Sequence, residues 1–239
     1  MAFRKLKKQV LDLLRHEDPD VALPAIMAVA PRQVINPLFG ALYSCDRRTR
    51  WHAVTAMGAV VAALADQDME SARVIMRRLM WNLNDESGGI GWGSPEALGE
   101  IMARHAGLAR EFATILISYL NPQGNFLEHE GLQEGAVWAV GRMARVDGPC
   151  VRDAAPFLEN LFSSYSIQLR GLAVWAAGPV ATPSMRSGLA RLCEDPAHFT
   201  LFWQGRFMQC AIAQLSADAL AALETGNPTP NHPNRPPAR

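Results

Sequence analysis

The feature that most constrains the fold of this chain is an internal repeat. Segments 50–58, 133–141 and 170–178 align without gaps, and segment 91–99 aligns more loosely. Their first residues, 50, 91, 133 and 170, are separated by 41, 42 and 37 positions. A period of this length is typical of stacked helix pairs in repeat proteins. The sequence therefore predicts a repeat array.

The aligned segments carry small residues in the same columns. One alanine column runs through all four segments, and each segment ends in glycine. These alanines are Ala56, Ala97, Ala139 and Ala176. Small side chains at helical spacing let two helices approach closely, so we expect this face to pack in the core.

An apolar stretch precedes each segment, which predicts a unit of helix, loop and helix. These stretches are residues 37–43, 72–83, 111–120 and 155–165. Residues 1–14 are amphipathic, with Leu6, Val10, Leu13 and Leu14 on one face. A first repeat helix explains this pattern, with a membrane-surface helix as the alternative. The prediction is an all-α, right-handed α-solenoid of five to six helix pairs. It forms one domain over residues 1–225, and a disordered Pro/Asn-rich tail occupies 226–239.

The segments 50–58 and 170–178 share the frame Arg-x-x-Ala-Val-x-Ala-x-Gly, and 133–141 keeps its second half. In this respect the chain resembles the HEAT-like repeat superfamily, in particular the short α-hairpin repeats named after the phycobilisome (bilin) lyases. The resemblance covers roughly residues 20–220 and implies an architecture. It does not imply one activity, since the superfamily includes scaffolds, bilin lyases, a di-iron hydroxylase and DNA glycosylases.

The charge distribution limits the class of partner. Lys and Arg number 23, as do Asp and Glu, which disfavours a strongly basic nucleic-acid binder. Residues 81–134 hold eight acids against two arginines, which disfavours phosphate contacts there. No apolar run reaches membrane-spanning length, and no secretory signal is evident. We expect a cytoplasmic protein with a protein partner and no membrane association.

Tryptophans recur on one side of the second helices. Their columns lie next to the alanine face and carry Trp51 as well as polar residues. In solenoids of this superfamily the second helices line the concave surface, so the resemblance implies a binding groove. The predicted partner-binding residues of this face are Trp92, Glu96, Glu100, Trp138, Arg142 and Trp175, with Arg145 beside them. The alternative is that the tryptophans only fill space between repeats.

The loop 84–94 is the most elaborate in the chain. It contains Asp85, Glu86 and four closely spaced glycines, and it leads into a helix for which Ser94 is the predicted N-cap. The glycines do not form the dinucleotide fingerprint, and no strand precedes them. The loop is therefore structural, grips a partner through Asp85 and Glu86, or receives an anion.

Two enzyme alternatives remain open. Glu128, His129 and Glu130, with Asp85 or Glu86, form a candidate divalent-metal site at the loop edge. A HEAT-like DNA glycosylase would use tryptophans and Glu96 of the concave face, again by resemblance only. The di-iron hydroxylases of the superfamily carry His-Glu pairs early in the second helix, and no such pair stands at the corresponding positions here.

We find no complete set of catalytic residues in the sequence. The favoured interpretation is therefore a non-catalytic scaffold or adaptor that binds a protein partner, with no cofactor and no metal. Its contacts would be the tryptophan face and the loop 84–94, together with the loop at 121–131.

Overall fold

The computed structural model describes residues 2–84 and 91–225 of the 239-residue chain. Residues 85–90, which include Asp85 and Glu86, and the predicted tail 226–239 lie outside the described residues. The chain divides into two compact units, 1–112 and 113–239, and each is described by itself. That residues 1–225 form one domain stays a prediction.

The described elements of unit 1 are helices. They are α1 (Ala2–Leu14), α2 (Pro19–Met27), α3 (Pro31–Leu42), α4 (Arg47–Ala65), α5 (Met69–Leu83), α6 (Ser94–Arg104) and the first half of α7 (Ala106–Ser118). Val10 and Leu14 of α1 are buried, as the amphipathic pattern predicts. The carboxylate of Asp46 caps α4 by accepting a hydrogen bond from the Thr49 amide at 2.9 Å. The carboxylate of Asp68 caps α5 in the same way.

Unit 2 combines helices with a small antiparallel hairpin. Its described elements after α7 are α8 (Glu130–Ala144), α9 (Ala155–Asn160), α10 (Ile167–Ala177), α11 (Arg186–Leu192), β1 (His198–Trp203), β2 (Arg206–Ala211) and α12 (Ile212–Thr225). Short 3₁₀ turns at Gly148–Ala154, Leu161–Ser163, Gly178–Val180 and Pro183–Met185 connect these helices. The predicted second helices correspond to α4, α6, α8 and α10.

The second helices of neighbouring repeats pack closely through their glycines. In unit 1, a Cβ at Gly58 of α4 would overlap the side chain of Glu100 in α6. In unit 2, a Cβ at Gly141 of α8 would overlap the ring of Trp175 in α10. The alanine columns on these helices are buried, including Ala56 and Ala139. The predicted packing role of the small residues is therefore confirmed.

The hairpin is the main departure from the sequence-based prediction. The predicted all-α array over residues 1–225 makes this segment helical, whereas β1 and β2 occupy His198–Trp203 and Arg206–Ala211. Gln204 and Gly205 form the turn with φ angles of 49° and 77°, and Trp203 pairs with Arg206 across it. Two positive φ angles match the twist of a tight hairpin. The helical assignment of this segment is wrong because a Gln-Gly turn joins two aromatic-rich runs.

No helix in the described parts of the chain is long and apolar enough to cross a membrane.

Candidate functional site

The predicted binding residues of unit 1 surround the start of α6. Trp92 is half-buried, and Cζ of Arg50 lies 5.9 Å from its ring centroid. Glu96 is also half-buried. Glu100 is buried, and its Oε1 accepts a hydrogen bond of 2.7 Å from Nε of Arg104. The side chain of Glu100 therefore has two roles: its Cγ packs against Gly58 of α4, and its carboxylate pairs with Arg104.

The helix start itself differs from the prediction. Gly93, and not Ser94, is the N-cap of α6, with a left-handed φ of 74°. A Cβ at this position would press against Leu42 of α3, so glycine satisfies both the backbone angle and the close approach. Ser94 is fully buried as the first helical residue, and its Oγ has no hydrogen-bond partner among the described residues. Pro95 lies in the first turn, as predicted.

His129 has a structural role at the start of α8. Its Nδ1 accepts a hydrogen bond of 3.1 Å from the Gly131 amide and so caps the helix. Glu128 and Glu130 on either side are exposed. Within residues 2–84 and 91–225, no group of three or more His, Cys, Asp or Glu side chains is arranged to hold a metal.

Three tryptophans gather in unit 2, where α8, α10 and β1 meet. The rings of Trp138 and Trp175 stack with their centroids 6.4 Å apart, and Trp203 meets Trp175 edge-on at 5.6 Å. All three are buried, with exposed fractions of 3%, 1% and 7%. Nε1 of Trp138 donates a hydrogen bond of 2.8 Å to the carbonyl of Phe202, which fixes β1 against α8.

Two arginines at the C-terminal end of α8 complete what we call the arginine–tryptophan cluster: Trp138, Arg142, Arg145, Trp175 and Trp203. The guanidinium of Arg145 stacks on the Trp175 ring at 4.0 Å. It donates to the carbonyls of Gly141 at 3.0 Å and Trp175 at 2.8 Å. A cation at this end of a helix is favoured by the helix dipole. Arg142 and Arg145 lie 5.8 Å and 5.7 Å from the Trp203 ring.

The cluster is rich in hydrogen-bond donors. Arg145 forms no ion pair with a described carboxylate, and the indole N–H groups of Trp175 and Trp203 have no acceptor among the described residues. Burial first, and then the positive charge of Arg142, lower the pKa of Arg145 to about 9. The guanidinium still carries its charge at neutral pH. An acceptor or anion brought to this end of α8 would therefore be favourable.

The structure thus brings Trp138, Arg142 and Trp175 of the predicted set together, with Arg145. It also buries the two tryptophans, so that Arg142 and Arg145, both half-buried, are the members of the cluster closest to solvent. Sequence reasoning missed Trp203 and its ladder partner Arg206. The available signal was the run from Phe199 to Trp203 followed by Gln-Gly, which is typical of a hairpin.

Comparison with known proteins identifies the class of fold and gives no family or activity. No family model matches the chain. No curated protein matches it either. Among solved structures, an engineered protein from the Northeast Structural Genomics Consortium aligns with a TM-score of 0.52 and 15% identity over 92% of this chain and 97% of that chain. A designed armadillo repeat protein aligns with a TM-score of 0.51 and 18% identity over 90% and 98%.

A second engineered protein of the same consortium has a TM-score of 0.50 and 17% identity over 92% of this chain and 99% of that chain. The fold is therefore an all-α helical repeat solenoid, as predicted. The named repeat type among these structures is armadillo, which supports the helical-repeat class implied by the resemblance without supporting its bilin-lyase subtype. At sequence identities this low, the likeness gives no information about an activity or a ligand of this chain.

Proposed function

We propose that this chain is a non-catalytic scaffold that binds a segment of a protein partner, mainly through the arginine–tryptophan cluster of unit 2. The observation that carries the proposal is that the guanidiniums of Arg142 and Arg145 both lie close to the Trp203 ring, at 5.8 Å and 5.7 Å from its centroid. Arginine and tryptophan are the residues most enriched where partners bind tightly. The guanidinium of Arg145, which is bonded to two backbone carbonyls and to no described carboxylate, gains when a partner supplies a carboxylate.

Rigid support favours the same interpretation. Trp175 is buried beneath Arg145 and stacks on Trp138, so we assign these two rings the role of holding the Arg145 guanidinium in place. Arg145 is fixed by one aromatic ring and two carbonyls, which reduces the conformational entropy lost on binding. In unit 1, Trp92 and Glu96, with the loop 84–94 that carries Asp85 and Glu86, are the proposed second contact surface.

The proposal is tested by selection from a random-peptide display library with the full chain as bait. We expect enriched peptides whose affinity, measured by fluorescence anisotropy, falls about tenfold or more in Arg142→Gln. Arg152→Gln is the matched control, because Arg152 is an exposed arginine of the same unit outside the cluster. Circular dichroism should show unchanged folding in both variants.

Two results would count against the proposal. A selection with no enrichment over an empty matrix would contradict the scaffold function. Enriched peptides that bind wild type and Arg142→Gln equally would contradict the assignment of the site to the arginine–tryptophan cluster.

A further inference from the structure

The two edges of the hairpin differ in how their backbone groups are satisfied. On the β1 edge, the side-chain amide of Gln168 donates to the Thr200 carbonyl at 2.8 Å and accepts from the Thr200 amide at 3.1 Å. Two positions along, the Phe202 carbonyl accepts from Trp138. The helices α8 and α10 therefore close this edge against any further strand.

The register then fixes the direction of the groups on β2. Thr200 lies directly opposite Gln209, and its amide and carbonyl point away from β2 toward Gln168. Directly opposite residues in an antiparallel ladder either exchange both hydrogen bonds or neither. The amide and carbonyl of Gln209 therefore point away from β1, along the outer edge of β2.

This outer edge is exposed at its centre. Gln209 is exposed, and among the described residues none bonds to its backbone amide or carbonyl outside the hairpin. Its side chain reaches back to Oγ1 of Thr200 at 2.9 Å and leaves the edge open. Phe207, two positions earlier, exposes 37% of its surface. Natural edge strands are usually shielded by proline, charged side chains, a bulge or a covering element. The strand β2 contains no proline, and its one charged residue, Arg206, lies beside the turn.

The charge around the hairpin turn is positive. Arg206 is exposed and forms no ion pair with a described residue. It lies opposite Trp203, whose ring centroid is 5.8 Å from Cζ of Arg142 and 5.7 Å from Cζ of Arg145. A strand placed beside β2 would thus run toward the guanidinium of Arg206, and a guanidinium selects for carboxylates.

We propose that β2 is a docking edge for an extended, acidic peptide segment of a partner protein, which adds to the hairpin as a third strand. The backbone of Gln209 supplies the pairing, Phe207 an apolar contact, and Arg206 attracts the acidic side chains. Main-chain pairing of this kind is a common mode of peptide recognition. The inference rests on the proposed scaffold function and specifies the partner's conformation and charge.

The test uses the full chain and a capped peptide of about eight alternating valine and glutamate residues as the probe, since natural strands have this length. Gln209→Pro removes the outward amide without removing a ladder bond, a position where proline is tolerated. We expect it to weaken probe binding by about tenfold or more, and Gln209→Thr, which keeps the amide, to bind as wild type. In wild type, the probe should slow hydrogen exchange at the Gln209 amide.

Charge is tested separately. Arg206→Gln should weaken binding and reduce its dependence on salt, and the same peptide with lysine in place of glutamate should not bind. Equal binding by wild type and Gln209→Pro would overturn the proposal, as would a probe that fails to bind wild type up to about 1 mM. A wild-type dimer that Gln209→Pro converts to monomer would also overturn it, because the occupant would then be a second copy of the chain.

The scaffold function and this inference fail separately. Library peptides that require Arg142 but bind Gln209→Pro normally would leave the scaffold in place and remove the docking edge. If wild type bound neither library peptides nor the probe, the scaffold function and the docking edge would both be contradicted.

Discussion

Gly141 lies directly beneath the indole of Trp175. A Cβ on Gly141 would come within 2.6 Å of Cε3 of that ring and 3.0 Å of Cα of Ala176. Trp175 of one repeat segment can therefore be buried in this position because the preceding segment ends in glycine, at Gly141. The same tryptophan supports Arg145, so the repeat pattern and the candidate site depend on one contact.

Replacing Gly141 by alanine should destabilise unit 2 by about 1–3 kcal/mol, because the added methyl group forces the Trp175 ring to move. Urea unfolding measures this change. Gly148→Ala is the control, since a Cβ there meets Val180 at an ordinary 3.5 Å. A Gly141→Ala variant as stable as wild type would contradict the close packing of α8 on α10.

The hydrogen bond from Trp138 to the Phe202 carbonyl anchors the hairpin to α8. Trp138→Phe keeps an aromatic ring but leaves that buried carbonyl without its donor, so we expect a loss of about 1–3 kcal/mol. Hydrogen exchange should quicken in β1 and β2. Trp81→Phe is the matched control, because Trp81 is 79% exposed and its replacement should change stability little. A hairpin equally protected in Trp138→Phe would contradict the anchor.

His52 gives unit 1 a dependence on pH. It is buried, and its Nδ1–H donates to the Leu14 carbonyl at 2.9 Å. Burial lowers the pKa of His52 from the ordinary 6.5, although the Leu14 hydrogen bond opposes this. As pH falls below 6.5, His52 becomes protonated in the unfolded chain while it stays neutral in the folded one. The free energy of unfolding therefore falls on acidification, until the pH reaches the pKa of His52 in the folded state.

Between about pH 7.5 and about pH 5.5 this loss is at most about 1.4 kcal/mol, the value for one proton over one pH unit. His52→Asn keeps a donor near the Leu14 carbonyl and removes the titration, so its free energy of unfolding should change less over this range. His16→Asn, at an exposed position, should retain the wild-type slope. A steeper slope in His52→Asn would show that burial does not suppress the charge of His52.

The helical architecture could be predicted from the sequence because the residues that determine it form short patterns within each repeat. Small residues such as Gly58 and Gly141 recur at the period of the repeat, and only close helix packing requires them. Turn and capping residues such as Asp46 and Asp68 mark helix starts without reference to the rest of the fold.

The burial of the tryptophans was not predictable in the same way. The helical periodicity of α8 places Trp138 on a face beside the core, and its partners there are Trp175 of α10 and the Phe202 carbonyl of β1. Phe202 is 64 positions away in sequence, so the local pattern around Trp138 does not indicate this contact. Arg145 is a similar case, since its carbonyl partner Trp175 belongs to the next repeat.

The most direct test of the scaffold account is amide hydrogen exchange of the full chain with and without a peptide from the library selection. The account predicts slowed exchange within residues 138–145 and 203–209, which carry the hairpin turn and every member of the arginine–tryptophan cluster except Trp175. Exchange unchanged there, with protection only in other parts of the chain, would contradict it.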